Sequence, residues 1–330
     1  MNGRIITVFS ILMACAGAPT PPPEPLIVEP QLPMFEPEPL EVEPTTLFAP
    51  DGVEMKPCLD DSPEGMRCID GGPFIRGYEG MHECDQYENI AQKTQYGPID
   101  EIWLQTFYMD TTEVTFSAYQ ACVKDGQCPP AKPRYSDYSR SNQPMVGVSW
   151  YAANTYCLAQ GKRLPTEAQW EKAARGTAGA QTPFGTDLVS CSNAVVKDNS
   201  GRSCGVKKEK GSHPEKGRTW EVGLMPAGEY QLYDMVGNAE EWVADWFSPS
   251  LDACGEACTG TDPLGPCNGA EKCSGHRLKM VKGGSWYWPA EHATAWHRRP
   301  HVPSNDPYHH FGFRCAANLT DAKKLLPQSE

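Results

Sequence analysis

The chain has 330 residues, with 29 Lys and Arg against 42 Asp and Glu and a formal net charge of -13. That balance, with no basic stripe anywhere, excludes nucleic acid as a partner, because a phosphate backbone rewards clustered Lys and Arg. Fourteen cysteines point to disulfides formed in an oxidising compartment.

In chain order, residues 1–15 read as a secretory signal. Arg4 gives the positive start, Ile5 to Met13 the apolar run, and Leu12-Met-Ala-Cys15 a lipobox-like cleavage site. The run is far below the roughly 20 residues that span a bilayer, so it is a removable signal. Cys15 is expected to carry the lipid; the alternative is an ordinary signal peptide with an incidental cysteine. The chain is thus expected to be exported in a bacterium and lipid-anchored to a membrane, facing the periplasm or cell surface. Residues 16–56 are crowded with Pro and Glu and carry no Lys or Arg until Lys56. Fixed φ angles, missing donors and like charges make this an extended tether.

Residues 57–320 are long enough for one large domain with a substantial core, followed by a tail over 321–330. Met66 to Gly77 reads as a first strand closed by glycine turns. Thr115 caps a helix through about Lys124, stopped by Asp125-Gly126. A second helix follows Ser149 and ends before Gly161, with Ala153, Tyr156 and Cys157 sharing a buried face. Thr166-Glu-Ala-Gln169 is a capping box for a third, in which Trp170, Ala173 and Ala174 recur at helical spacing. The rest is irregular.

Five segments carry a family resemblance: Phe107-Tyr-Met-Asp-Thr-Thr-Glu-Val-Thr115, Gln143-Pro-Met-Val-Gly-Val-Ser-Trp150, Gly161-Lys-Arg-Leu-Pro-Thr-Glu-Ala-Gln-Trp170, Leu232-Tyr-Asp-Met-Val-Gly-Asn-Ala-Glu-Glu-Trp242, and the stretch from Val281-Lys-Gly-Gly-Ser-Trp286 to Phe311-Gly-Phe-Arg-Cys-Ala316. In this order they resemble the formylglycine-generating enzymes, or sulfatase-modifying factors. The resemblance implies an α+β fold, a C-type-lectin-like core with long irregular loops. Those enzymes oxidise a substrate cysteine using copper held by two cysteines just beyond the Gly-Gly-Ser-Trp turn. Here Trp288 and Ala293 fall at those positions, and no cysteine lies between Cys273 and Cys315. A thiolate is what selects Cu(I), so copper is not expected, and no catalytic residue is assigned.

The resemblance also implies a disulfide between Cys157 and Cys315. A second family bridge would need a cysteine where Ala174 stands. By proximity, Cys122 pairs with Cys128 and Cys191 with Cys204, and Cys254, Cys258, Cys267 and Cys273 form two bridges in one insertion, with a four-thiolate zinc site as the rival. Of Cys58, Cys68 and Cys84, at least one stays unpaired in a monomer. The resemblance further implies a structural calcium ion held by the side chains of Asp234 and Glu241 and the carbonyls of Gly237 and Ala239. A second calcium site would begin at Asn193. Carboxylates with backbone oxygens on a glycine turn suit a hard cation.

Residues 292–310 hold His292, His297, His301, His309 and His310, beside Trp286, Trp288, Trp296, Arg298 and Arg299. Three imidazoles could bind iron, copper or zinc. The preferred expectation is a groove in which Trp286, Trp288, His297 and Arg298 face a peptide or an anionic glycan, since indoles stack and guanidinium pairs with anions. Trp288 either fills the family pocket or floors a changed one. Two functions follow: a membrane-tethered binding or structural module, or an oxidoreductase with a different metal centre, non-haem iron or copper.

Overall fold

The computed structural model describes residues 46–79, 96–185, 188–206, 217–304 and 309–327. The expectations for Cys15, for most of the Pro/Glu-rich segment and for Cys84 lie outside the described residues.

A short ladder pairs β1 (Leu47–Phe48) with β2 (Glu54–Met55). The single strand expected over 66–77 is two, β3 (Met66–Ile69) and β4 (Gly72–Arg76). The break has a steric cause. Gly71 approaches the Thr106 backbone nitrogen and hydroxyl so closely that a Cβ would lie 3.0 Å from both, and Gly72 takes a φ of 134°, where only glycine turns the chain freely. β4 then pairs with β5 (Asp100–Leu104), whereas β3 pairs with β6 (Phe107–Asp110) in a different sheet.

Three helices start where their caps foretell: α1 (Phe116–Lys124), α2 (Trp150–Ala159) and α3 (Glu167–Arg175). Thr115, Ser149 and Thr166 each accept an orphan N–H of the first turn, and Thr166 with Gln169 completes the reciprocal box. Next come β7 (Glu240–Trp246), the short α4 (Leu251–Cys254), β8 (Lys279–Lys282), β9 (Arg299–His301), β10 (Phe311–Gly312), β11 (Ala316–Asn318) and α5 (Leu319–Leu325). One sheet runs β10-β7-β8-β9, with β10 parallel to β7 and the other pairs antiparallel; another runs β11-β6-β3. The expected domain end at residue 320 falls inside α5. Asn318 caps that helix, and Ala322 is buried with Met66 and Tyr108.

Two large apolar clusters fill much of the interior. Tyr119, Tyr156, Trp242 and Phe313 pack with α1 and α2, and the Cys157–Cys315 bridge runs through them, joining positions 158 residues apart. The other cluster surrounds Trp170 of α3, with Phe74, Phe107, Met235 and Met280. The remaining bridges are Cys58–Cys68, Cys122–Cys128, Cys191–Cys204, Cys254–Cys258 and Cys267–Cys273. All four cysteines of the insertion are therefore in disulfides, which leaves no thiolates for zinc. Among the described residues, no helix is long and apolar enough to cross a membrane.

Every residue of α3 is buried, including Glu167, Glu171, Lys172 and Arg175. Buried charge is costly unless paired; here Glu167, Glu171 and Arg175 are in ion pairs, and Lys172 donates to the Asp70 and Gly72 carbonyls. Glu171 meets Arg175 at 2.8 Å and Lys282 at 3.1 Å; burial would raise its pKa, but these cations pull it down to about 2.

Asp245, against the start of the same helix, has no such ion pair among the described residues. Its Oδ2 accepts the Glu167 N–H at 2.7 Å, yet burial, aided by the Glu167 charge, pushes its carboxyl up to about 7. A folded pKa above the unfolded value of about 3.9 means that the group favours the folded state most below pH ~4, and that this contribution is lost as pH rises towards about 7. Asp245→Asn should therefore remove that dependence. Denaturant melts of both proteins should show the variant gaining at least about 1 kcal/mol on the parent between pH 4.5 and 7.5; parallel curves would contradict the assignment.

Candidate functional site

The Gly283-Gly284 turn sets the position of residues 285–293. A Cβ on Gly284 would fall 2.8 Å from the His292 carbonyl, and one on Gly283 2.8 Å from the Met235 carbonyl; both residues have positive φ. The turn thus locks residues 283–286 between the 234–238 loop and the 292–293 backbone. From it, the Trp286 N–H donates to the Asn238 carbonyl at 3.0 Å, and the Trp286 ring is fully buried against Tyr138 and His309.

Trp288 is half-buried. Its ring stacks on His292 at 5.4 Å, the Arg299 guanidinium lies 4.7 Å above it, and Tyr287 meets it edge-on at 4.9 Å. Arg299 in turn pairs with the buried Glu240 at 2.6 Å. Ala293 is fully buried among Val189, Ala194, Val196 and Val236. The positions assigned by resemblance to the copper cysteines therefore hold an indole braced by an ion pair and a methyl in an apolar cluster.

The groove expectation needs correction. Of its four residues, Trp286, His297 and Arg298 are 0%, 2% and 2% exposed, so only Trp288 presents surface. Arg298 is committed to the protein itself: its Nε and a terminal nitrogen donate to the two oxygens of Glu167 at 2.5 and 3.1 Å, and another nitrogen donates to the Ser248 carbonyl. Burial alone would lower the Arg298 pKa, but Glu167 raises it. What remains partly exposed instead is the Tyr287–Trp288 pair, with Arg202 3.6 Å above the Tyr287 ring and Arg299 4.7 Å above the Trp288 ring.

The histidines do not converge as a metal triad. His292 and His297 lie 5.2 Å apart, and His310 stacks on Tyr287. Burial pushes the His301 pKa down to about 4 and holds that of His310 well below the ordinary imidazole value. Among the described residues, the one group of three metal-capable side chains is Cys58, Cys68 and Asp70, and its two cysteines form a disulfide.

The acidic turn is built from left-handed residues, Asp234, Gly237 and Asn238, with φ of 54°, 81° and 52°. Asp234 accepts the Gly223 N–H at 2.6 Å. Asn238 accepts the Trp220 N–H at 2.8 Å and donates to Glu113 at 3.0 Å. Glu113, which sequence reasoning gave no role although it sits in the Thr-Thr-Glu-Val-Thr segment, is buried with its second oxygen unpartnered. Burial raises the carboxyl pKa of Glu113 well above the usual range and that of Asp234 to about 6; Asp234 adds to the Glu113 shift. This surplus of buried negative charge suits a cation. Glu241 does not suit the role given to it. Both its oxygens accept from Arg314, at 2.7 and 2.8 Å, and Oε2 also from the Trp170 indole at 2.8 Å. A carboxylate so occupied has little left for an ion. Asn193 likewise closes its own loop, accepting the Ser190 N–H and donating to the Leu188 carbonyl.

Small sheets, long irregular loops and a buried Gly-Phe-Arg-Cys end define a protein of the formylglycine-generating-enzyme fold. The chain belongs to the sulfatase-modifying factor enzyme 1-like domain family, which matches residues 53–319. It is 33% identical to the formylglycine-generating enzyme of Thermomonospora curvata over 57% of this chain and 60% of that enzyme. A mouse relative described as inactive C-alpha-formylglycine-generating enzyme 2 is 29% identical, over 60% of this chain and 56% of the relative. The matched part thus spans less than two thirds of either relative. Among solved structures, PvdO from Pseudomonas aeruginosa superposes with a TM-score of 0.58 at 24% identity, covering 77% of this chain and 94% of that one.

Arg298→Ala would leave the buried Glu167 carboxylate with only Lys282, 3.7 Å away, and breaking a buried pair typically costs about 3–5 kcal/mol. Trp288→Ala, at a half-exposed ring, should cost much less. Thermal melts of the two variants should separate them clearly, and equal losses would mean that Trp288 is core.

Proposed function

We propose that this protein is an exported, lipid-anchored member of its family that has lost copper-thiolate oxidation and works as a binding module. The observation that carries the reading is the replacement of the expected thiolates: no cysteine lies between Cys273 and Cys315, and Trp288 and Ala293 stand where the family resemblance puts them. An indole and a methyl supply no soft ligand for Cu(I). The existence of a relative described as inactive supports the idea that the fold can persist without the reaction.

The ligand surface is the Tyr287–Trp288 pair, with Arg202 and Arg299 beside it. Partly exposed aromatic edges beside the Arg202 guanidinium suit an extended peptide or an anionic glycan. Cys15 provides the anchor, and the Pro/Glu-rich segment the spacer. The Asp234 turn binds a structural calcium ion through the Asp234 carboxylate and the carbonyls of Gly237 and Ala239, while Glu241 stays with Arg314.

The decisive experiment is incubation with a cysteine-containing sulfatase peptide and copper, followed by mass spectrometry. No conversion to formylglycine is expected. Conversion above background in protein free of contaminating enzyme would overturn the reading.

For the anchor, Cys15→Ser should move the protein from the membrane fraction to the soluble one on fractionation; a variant that still pellets would place the anchor elsewhere.

For the ion, a cation bound only by the folded state raises its stability. A chelator should therefore lower the melting temperature of the parent by several degrees and that of Asp234→Ala by much less. Identical responses would count against an ion at this turn.

A further inference from the structure

Away from Trp288, a cavity of about 570 Å³ opens between the Lys162-Arg-Leu-Pro-Thr166 turn, the start of α5 and the disulfide-held insertion. Its size falls within the range of about 300–1,000 Å³ typical of small-molecule sites. Its lining mixes apolar side chains such as Leu164 and Leu319 with polar ones including Asn154, Asn268 and Thr320, whose side chains make no hydrogen bond among the described residues.

The charges around it are unbalanced. Arg163 and Lys56 line the cavity, against Asp262 as its carboxylate. Both oxygens of Asp262 are already taken by Gln105, through its backbone N–H at 2.9 Å and its side-chain amide at 2.7 Å. Arg163 donates from one terminal nitrogen to the Gln169 side chain at 2.7 Å and to the Leu164 carbonyl at 3.1 Å. It forms no ion pair with a described carboxylate; Asp262, Asp321 and Asp245 act on it only at a distance. Arg175, Arg298, Arg299 and Arg314 each hold a carboxylate. Arg163, like the buried Arg76, which donates to the Cys258 carbonyl, forms no ion pair among the described residues, and of these two it is Arg163 that lines the cavity.

The walls are fixed before any ligand arrives. The Arg163 backbone exchanges two hydrogen bonds with Ala316, at 2.8 and 2.7 Å, next to the Cys157–Cys315 bridge. Opposite, the insertion is tied down by backbone bonds of Trp103 to Gly260 and Asp262, by the Trp246 indole on the Ala270 carbonyl, and by Cys254–Cys258 and Cys267–Cys273. Pre-set donors lower the ordering cost of binding.

We propose that this cavity binds a small organic carboxylate that also carries hydroxyl or amide groups. Arg163 pairs with the carboxylate, Lys56 adds charge at the rim, and Asn154, Asn268 and Thr320 read the remaining polar groups. The insertion creates the site, because it supplies Asp262, Asn268 and one wall. Two sources share this chemistry, a sugar acid and the carboxy-terminus of a short peptide.

The test titrates the full chain by calorimetry with four probes: glucuronate and glucose, and N-acetylalanine and its amide. One acid should bind at least about tenfold more tightly than its neutral partner, as expected when a charge-assisted pair is lost; which acid does so identifies the source. Arg163→Gln, checked for folding by circular dichroism, should weaken that binding at least tenfold, Lys56→Gln should weaken it severalfold, and Asn268→Phe should block it. The proposal is overturned if acids and neutral probes bind alike, if neither acid binds at millimolar concentration, or if folded Arg163→Gln binds as the parent does. Should Arg163→Gln fail to fold, unchanged binding in both Lys56→Gln and Asn268→Phe overturns it equally.

Discussion

The pairing of Arg314 with Glu241 holds together segments that are otherwise far apart in sequence. Three hydrogen bonds of 3.0 Å or less join the guanidinium to the carboxylate, and others reach the carbonyls of Asp110, Thr111 and Tyr233. One side chain thus ties the end of β6, the acidic turn and β7 to the C-terminal strand region, while Trp170 of α3 closes the other side of the same carboxylate. With Arg314 absent, Glu241 would be a buried anion held by a single indole, and burial without pairing is among the costliest defects a core can carry. The apolar clusters fill space around this knot; the knot decides which loops meet.

The same logic explains α3. Its sequence, with charges on every side, would not ordinarily be buried all round. It is accommodated because β8, β9 and their flanks bring Lys282 and Arg298 to it, and because its own Arg175 folds back on Glu171. The site region therefore inherits its geometry from electrostatic demand within the core, and Arg298 is positioned by what Glu167 needs.

This also marks what could be read from the chain beforehand. Helix starts were legible, since a cap is a local event: Thr115, Ser149 and Thr166 lie three residues from the N–H groups they satisfy. Cys122–Cys128 and Cys191–Cys204 were legible for the same reason, and the family motifs carried the long bridge, whereas Cys58–Cys68 and the pairing within the insertion were left open. The split of the first strand was not, because the steric conflict at Gly71 arises from Thr106, 35 residues away. Nor was the fate of Arg298, whose partner is 131 residues distant. A composition rich in Trp, His and Arg looks like a binding groove in one dimension; whether each member is surface or core depends on partners that only tertiary structure supplies.

The disulfide pattern bears on how such a chain emerges. Five of the described bridges join cysteines 4 to 13 residues apart, and the sixth joins residues 158 apart. A chain delivered N-terminus first presents Cys157 long before Cys315 exists outside the exit channel. In that interval Cys191, Cys204 and the four cysteines of the insertion all pass by as competitors. Their own partners follow within a few residues, and the probability of encounter falls with the length of chain to be closed. The local bridges thereby remove the wrong partners from circulation in the order in which they appear. The partner of Cys157 arrives once nearly all of the domain has been delivered, after the bridges of residues 191–204 and of the insertion can already have closed.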